Sequence, residues 1–530
     1  RESASASGLR LLEMFGYLRR LATTGAAYTA SSVISKLIAV FLLPVYTGAL
    51  SPADYGAAEV MLASVIAASI VIRLGLIEAL LRFYYLGGED RSEVVKTGFA
   101  ALFWSTTAGA AVALAFAEPI SEALLERPDA ELARLAVLGL WTLTLWEYAL
   151  TLLRVDERAR AYFGLTVANV LATIPVTVYL VVVADEGAAG ILLGTFGTGA
   201  VFLAGLLWQQ RRRLSLAFDP GLLRRMTRFG LPTMPAELTL YSLNFIDRIL
   251  IVRLAGLAEA GLYALAIKFA QGINVLARGF QLAFPPLAYS IADDDEARRA
   301  YSLIVTWFAA VCAFAVAGLW LLARWIVDLL AAPQYFESFE AVGLLATGVS
   351  LYALYLVLVV ILGRTGRTEF NLPATLAGTV ANIVLNLVLI PPLGFVGAAI
   401  ALVASYAIVL VLMYALTQRL FPVPYEWGRL ALLLASTAAI VAGGELLLPT
   451  DGADGFLLRV LAWLALPAIL YACGFLHHEE REGLRTLLSP AAVRERLRNL
   501  ASEPPAEGPD GPAGASAEIY EAARRDEDRL

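Results

Sequence analysis

The sequence predicts an all-α polytopic membrane protein with about fourteen transmembrane helices. Three observations carry this. Of its 530 residues, 59% are hydrophobic and 16% charged, against roughly 45–50% and about 25% in ordinary globular domains. Apolar stretches of about 20 residues, each able to cross roughly 30 Å of hydrocarbon as a helix, recur along nearly the whole chain. Basic residues fall in every second connecting loop, the asymmetry that orients membrane helices.

The spans are read near 23–46, 56–80, 97–117, 132–153, 162–184, 188–209, 229–252, 258–282, 301–323, 341–363, 371–390, 395–417, 429–448 and 457–476. The first is too long, and too poor in a cleavage signature, to be a removed signal peptide. One set of loops carries Arg19 and Arg20, then Arg82, Arg91 and Lys96, then Arg154, Arg158 and Arg160, then Arg211 to Arg213 with Arg224 and Arg225. It continues with Arg298 and Arg299, Arg364 and Arg367, and Arg419. The alternate loops, such as "ADEG" and "PPLGF", are poor in basic residues. Both termini are therefore expected in the cytoplasm.

The chain then divides into a cytoplasmic amphipathic start (1–22), a first six-helix half (23–209), a basic cytoplasmic linker (210–228) and a second six-helix half (229–417). Two further membrane helices (418–476), a basic amphipathic cytoplasmic helix (477–500) and a disordered acidic tail (501–530) complete it. Ser489 and Pro490 are suited to the cap and first turn of that amphipathic helix. The net charge of −6 says nothing about the membrane body, because the tail alone holds eight acidic residues against three arginines. Cys312 and Cys473 lie in apolar stretches far apart, and His477 and His478 adjoin each other. No metal site follows from these residues, and no cofactor is expected.

A weak internal repeat explains the even halves. At a shift of 205, Gly56 meets Gly261, Asp54 meets Glu259 and Arg73 meets Arg278. At 207, "RAYFGL" (160–165) meets "RTEFNL" (367–372), and Gly190 meets Gly397. Six helices is an even number, so the halves share one orientation; transporters built this way hold their site between the halves.

Charges inside the spans mark that site. A charge near the bilayer centre costs at least about 2.5–3.5 kcal/mol on insertion scales, so it faces a cavity or a partner. The first span aligns Tyr28, Ser32, Ser35, Lys36 and Ala39 on one stripe. The seventh aligns Thr233, Glu237, Tyr241, Asn244 and Arg248; the eighth aligns Gln271, Asn274, Arg278 and Gln281, with Lys268 about 60° to one side. In the second, Glu59 and Arg73 share nearly the same face. The candidate anion ligands are Lys36, Arg73, Arg248, Lys268 and Arg278, and the candidate sugar ligands are Tyr241, Asn244, Gln271 and Asn274. The bland alternative is that Glu59, Glu147, Glu237 and Asp247 lock these cations in structural bridges. Arg253 and Arg73 sit near enough to a membrane edge to snorkel. Pro232, Pro235, Pro285 and Pro286 are candidate hinges.

Several segments resemble a known family. "LPVYTGALSPADYGAAEV" after the first span, "FGLPTMPAELTLYSLNFIDRILI" with "AGLAEAGLYALAIKFAQ", and "PPLGFVGAAIALVASYAI" are similar to segments of lipid-linked oligosaccharide flippases of the polysaccharide-export family. That family belongs to the multidrug/oligosaccharidyl-lipid/polysaccharide exporter superfamily. The resemblance covers roughly residues 20–475. It implies two six-helix lobes in a V around a central cavity, with two helices added at the C-terminal side. It also implies a bacterial or archaeal cell membrane, and transport of an undecaprenyl-diphosphate-linked oligosaccharide from the cytoplasmic to the outer leaflet by alternating access.

On that reading Lys36, Arg248 and Arg278 hold the diphosphate, while Glu59, Glu237 or Asp247 forms salt bridges or takes up a coupling proton or sodium ion. Expected partners are the anionic lipid-linked glycan, membrane lipids, and the glycosyltransferases and polymerase of the same pathway; no nucleic acid is expected, and the protein is a monomer. No covalent step is required, so it is not an enzyme. A cation-coupled multidrug exporter would want acidic residues dominating the cavity. A polymerase or glycosyltransferase would want large loops, and every loop here is short. A scaffold without transport activity would have all its buried charges paired.

Topology is directly testable. Single cysteines at Gly187, Leu393 and Gly452 are expected to react with an impermeant thiol reagent on intact cells, and those at Gly87, Ser215 and Thr365 to stay unlabelled. Two or more reversals would overturn the orientation and the parallel repeat together.

Overall fold

In a computed structural model of the chain, residues 40, 42–86, 90–291, 293–367, 370–477 and 480 are described. Lys36, the acidic tail and most of the amphipathic segment at 477–500 lie outside them, as do the side chains of Asn244 and Pro286. The chain divides at Ile469 into two units. Of the second, the described part is the end of the last helix and a turn in which the His477 amide donates to Glu480 at 2.8 Å.

Every regular element among the described residues is helical. Short α1 (Leu43–Ala49) leads into α2 (Pro52–Arg73), which Ser51 caps by accepting from the Asp54 amide at 3.1 Å, with Pro52 in the first turn. Next come α3 (Leu76–Leu86), α4 (Arg91–Ala115), α5 (Ala117–Leu125) and α6 (Ala130–Val155), with Asp90 and Asp129 capping α4 and α6. α7 (Ala159–Val178) and α8 (Gly187–Gln210) pack side by side to close the first half. The basic linker contains α9 (Pro220–Gly230), capped by Asp219.

The second half runs α10 (Met234–Ala255), α11 (Leu257–Ala270), α12 (Ile273–Ser290), α13 (Asp294–Leu330), α14 (Phe339–Arg364) and α15 (Asn371–Leu420). α16 (Trp427–Leu447) and α17 (Gly452–Ala472) follow. They dock on α13: Trp463 donates to the Phe314 carbonyl at 2.8 Å and stacks on the Phe314 ring.

Ten of these helices are long and apolar enough to cross a membrane, or eleven when α11 and the start of α12 count as one bent span. α10, with 22 residues, is long enough to cross but carries Glu237, Asp247, Arg248 and Arg253. The 50 residues of α15 contain both expected spans at 371–390 and 395–417. The chain reverses between them at Gly394, where φ is +56° after Pro391 and Pro392. Glu259 accepts the freed Phe395 amide at 2.9 Å, and a side chain at Gly394 would run into that carboxylate.

Two expectations need correction. The eighth span is not one straight helix over 258–282: it bends by 49° at Gln271 and Gly272, where Asn274 and Val275 bond to carbonyls three residues back. The polar stripe that continuous helical spacing draws through Gln271, Asn274 and Arg278 is therefore interrupted. The prolines, conversely, are not the breaks. Pro232 and Pro235 sit in the opening turns before and within α10, where a missing N–H costs nothing, and α12 continues past Pro285.

The halves meet along α2 and α11. The repeat-related glycines Gly56 and Gly261 face each other there, each where a Cβ would overlap the other helix's backbone. The nearby end of the interface is laced by hydrogen bonds. Gln334 donates to the carbonyls of Thr47 and Leu50, Tyr335 to that of Leu50, and the Ala332 amide to the Thr47 hydroxyl, all at 2.8–3.1 Å.

Gly56→Val should therefore lower the melting temperature of the detergent-solubilised protein, since overpacking costs about 1–3 kcal/mol and the obstacle here is backbone. Gly48→Ala, with no atom within 4 Å of the added carbon, should leave it unchanged.

Candidate functional site

The crossing of α2 and α11 places a carboxylate of one half among cations of the other. Glu59 on α2 is buried. Its Oε1 lies 2.5 Å from Lys268 Nζ on α11, and its Oε2 lies 3.6 Å from Arg248 Nη1 on α10. Arg248 also donates to the Glu59 backbone carbonyl at 3.3 Å. Lys268 stands 4.9 Å from the centre of the buried Tyr55 ring, a cation–π contact that adds to its holding. Tyr241 on α10 donates to the Ala63 carbonyl at 3.0 Å, tying the same helices one turn further on. The net charge of Glu59, Arg248 and Lys268 is positive by one.

A second bridge between the halves sits farther along α2. Arg73 reaches Glu147 of α6 at 2.5 Å and Glu237 of α10 at 2.7 Å, so this arginine is paired and does not snorkel. Arg253 likewise donates to the Ala123 carbonyl at the end of α5, at 2.9 Å.

Asp247 behaves differently from the other acids. It is fully buried beside Arg248 in sequence, yet its oxygens accept from the Tyr263 hydroxyl at 2.8 Å and the Asn386 amide at 2.6 Å. The Asn386 amide also reaches Asn382 Oδ1 at 3.1 Å. The remaining buried atoms, Asn386 Oδ1 and Asn382 Nδ2, have no partner among the described residues.

The structure thus brings Arg248, Lys268 and Glu59 together, with Tyr241 alongside, and separately joins Arg73 with Glu237. Gln271 and Asn274 are half-buried at the bend, and Arg278 beyond it is exposed, with no carboxylate within 4.0 Å among the described residues. Lys36 and the Asn244 side chain are outside the described residues. A cavity of about 260 Å³ lies on the opposite face of α2, lined by Met61, Ser64, Val65 and Phe245 among others, and none of the candidate cations line it.

Sequence reasoning missed Tyr263, Asn382 and Asn386, which complete the Asp247 site. An i, i+4 asparagine pair in an apolar span was the available signal. It also missed Arg459, which is fully buried in α17, 2.5 Å from Glu445 and hydrogen-bonded to the carbonyls of Pro449 and Leu321.

Folds of this kind are known. The lipid II flippase MurJ in an inward closed conformation is similar with a TM-score of 0.66 and 13% identity, over 85% of this chain and 99% of that one. A multidrug resistance MATE family transporter of the MOP superfamily, inward-facing, gives 0.61 and 16%, over 76% and 95%. The architecture is the polytopic helical fold that these two proteins share. The model of the polysaccharide biosynthesis protein family matches residues 48–340, more than half of the chain, so the chain belongs to that family. The succinoglycan biosynthesis transport protein ExoT of Rhizobium meliloti (strain 1021) is 26% identical over 328 residues. That match covers 59% of this chain and 64% of the relative, so it spans less than two thirds of the relative's length.

The Glu59 cluster yields a stability test. Lys268→Met strands a buried carboxylate with one distant cation and should cost up to about 3–5 kcal/mol. Adding Glu59→Gln should restore most of the loss. A double variant no more stable than Lys268→Met, judged by melting in detergent, would show that the pair is not coupled.

Proposed function

We propose that this protein is a flippase that moves an undecaprenyl-diphosphate-linked oligosaccharide from the cytoplasmic to the outer leaflet by alternating access. The observation that carries the reading is the net-positive cluster of Arg248, Lys268 and Glu59, buried where the two halves meet. A diphosphate carries more negative charge than one carboxylate and offers more acceptor atoms. It therefore competes with Glu59 for the two cations through charge-assisted hydrogen bonds. When it takes them, the tie between α2 and the α10–α11 pair is exchanged for a tie to substrate, and the halves are released to rock. Lys36 and Arg278 would extend the same anionic contact, and Gln271, Asn274, Asn244 and Tyr241 would supply partners for sugar hydroxyls.

Asp247 is the favoured place for a coupling proton or sodium ion. Its partners are neutral, Tyr263 and Asn386, and a buried carboxylate without a counter-charge gains by binding a proton or a cation. Both termini would be cytoplasmic, which puts the hydrogen-bonded end around Leu50 and Tyr335 on the outer side. The glycosyltransferases and polymerase of the glycan pathway are the expected partners, and a monomer suffices. No residue is asked to make or break a covalent bond.

The test is glycan export in cells whose accumulation of the protein is checked in parallel. The Glu59→Gln and Lys268→Met double variant, expected to be stable, should lose export by about tenfold or more, the worth of a charge-assisted hydrogen bond. Lys36→Ala should abolish export at normal accumulation, and Lys36→Arg should keep part of it. Full export from the double variant would remove these residues from the substrate path.

A further inference from the structure

Away from the cluster between the halves, a small cavity of about 140 Å³ opens in the first half, lined by Tyr84, Arg91, Ser92, Val95 and Arg213. Three elements build it: the end of α3, the first turn of α4 and the turn after α8. The Arg91 guanidinium lies over the Tyr84 ring, 5.1 Å from its centre. Arg213 is anchored from behind by two hydrogen bonds to Asp156, one of them at 3.1 Å. Among the described residues no carboxylate lies within 4.0 Å of Arg91. Of the other acids nearby, Asp90 is engaged in capping α4 through the Ser92 amide at 3.1 Å, and Glu93 pairs with Lys96 at 2.8 Å. One guanidinium is thus held rigid by its carboxylate, and a second, with no carboxylate partner, lines the same cavity as a serine and a tyrosine.

The depth of this cavity is marked by its neighbours. Trp208, five residues before Arg213, is 69% exposed and carries Arg211 over its ring at 4.5 Å. Exposed tryptophan and tyrosine with arginine at a helix end are the anchors of the headgroup region. Arg154, Arg158, Arg160, Arg211 and Arg212 belong to the adjoining ends and loops, so the surrounding field favours anions. The volume corresponds to about four or five waters at about 30 Å³ each, room enough for a phosphate group.

We propose that this pocket binds the phosphate of an anionic phospholipid headgroup, with Arg91 and Arg213 as its charge partners and the Ser92 and Tyr84 hydroxyls as neutral donors. Guanidinium groups suit a phosphodiester because they meet its oxygens two at a time. The site is distinct from the cluster between the halves and does not depend on the proposed substrate. It would fix the first half to the leaflet while the second moves.

The experiment uses the full-length protein in neutral detergent and in phosphatidylcholine nanodiscs. Phosphatidylglycerol and, separately, inorganic phosphate are titrated while melting temperature is followed, and retained lipids are counted by native mass spectrometry. The wild type should gain stability with phosphatidylglycerol and retain one more molecule of it than Arg91→Gln does. In Arg91→Gln the half-saturating amount should rise about tenfold or more, as expected for one charge-assisted hydrogen bond. Arg91→Lys should recover part of the effect, and Arg419→Gln, at an exposed position of α15, should leave it unchanged. If inorganic phosphate at millimolar concentration stabilises the wild type and competes with the lipid, the phosphate group alone suffices; if it does neither, the lipid is the ligand. Phosphatidylglycerol binding in Arg91→Gln equal to the wild type, with the variant folded, would overturn the proposal. Arg213 is left intact in the test because its loss would strand Asp156.

Discussion

A buried carboxylate must find positive charge or hydrogen-bond donors, and in this chain Glu59 finds both of its cations in the opposite half of the molecule. In a low-dielectric interior that tie is strong only while all three groups stay in place. Removing Glu59 would leave two cations facing each other, and removing Lys268 would leave Glu59 only Arg248 at 3.6 Å. The same reasoning covers Arg73, which draws on Glu147 from its own half and Glu237 from the other. The halves are thus held by ion pairs whose cations or acids can be offered a better partner. An apolar seam offers no such exchange.

Close helix approach makes these ties geometrically available. Arg248 and Lys268 reach Glu59 because α2 and α11 cross with nothing but hydrogen at Gly56 and Gly261. Small residues at helix contacts allow this approach in membranes, where no hydrophobic driving force pulls helices together. The reversal at Gly394, capped by Glu259, packs the two limbs of α15 against each other and so sets Asn382 and Asn386 beside Asp247. Backbone devices at glycine therefore position both polar sites.

Much of the fold was legible in the sequence because hydropathy is a long-range, additive signal. Apolar runs of the right length gave the helices, and the repeat matched Gly56 with Gly261 before their contact was known. The candidate site was legible in part. Helical spacing grouped Glu237, Tyr241 and Arg248, which all reach α2, but it assumed that the eighth span is straight. The bend at Gln271 and Gly272 is set by local turn hydrogen bonds that hydropathy does not record. Pairing was unreadable for a related reason: which of Glu59, Glu147, Glu237 and Asp247 meets which cation depends on helix rotation and crossing. Arg459 escaped because its partners, Glu445 and two carbonyls, are assembled only when α16 and α17 pack on α13.

Asp247 and Arg248 are adjacent on α10 yet serve opposite sides of it. Successive helical residues diverge by about 100°, so the arginine turns to α2 and the aspartate to α11 and α15. One helix consequently carries the arginine bridged to Glu59 on one face and a carboxylate held by a hydroxyl and an amide on the next. Any rotation of α10 that relieves one face must disturb the other. That mechanical link makes α10, which carries Glu237, Asp247, Arg248 and Arg253, the element through which the two sites constrain each other.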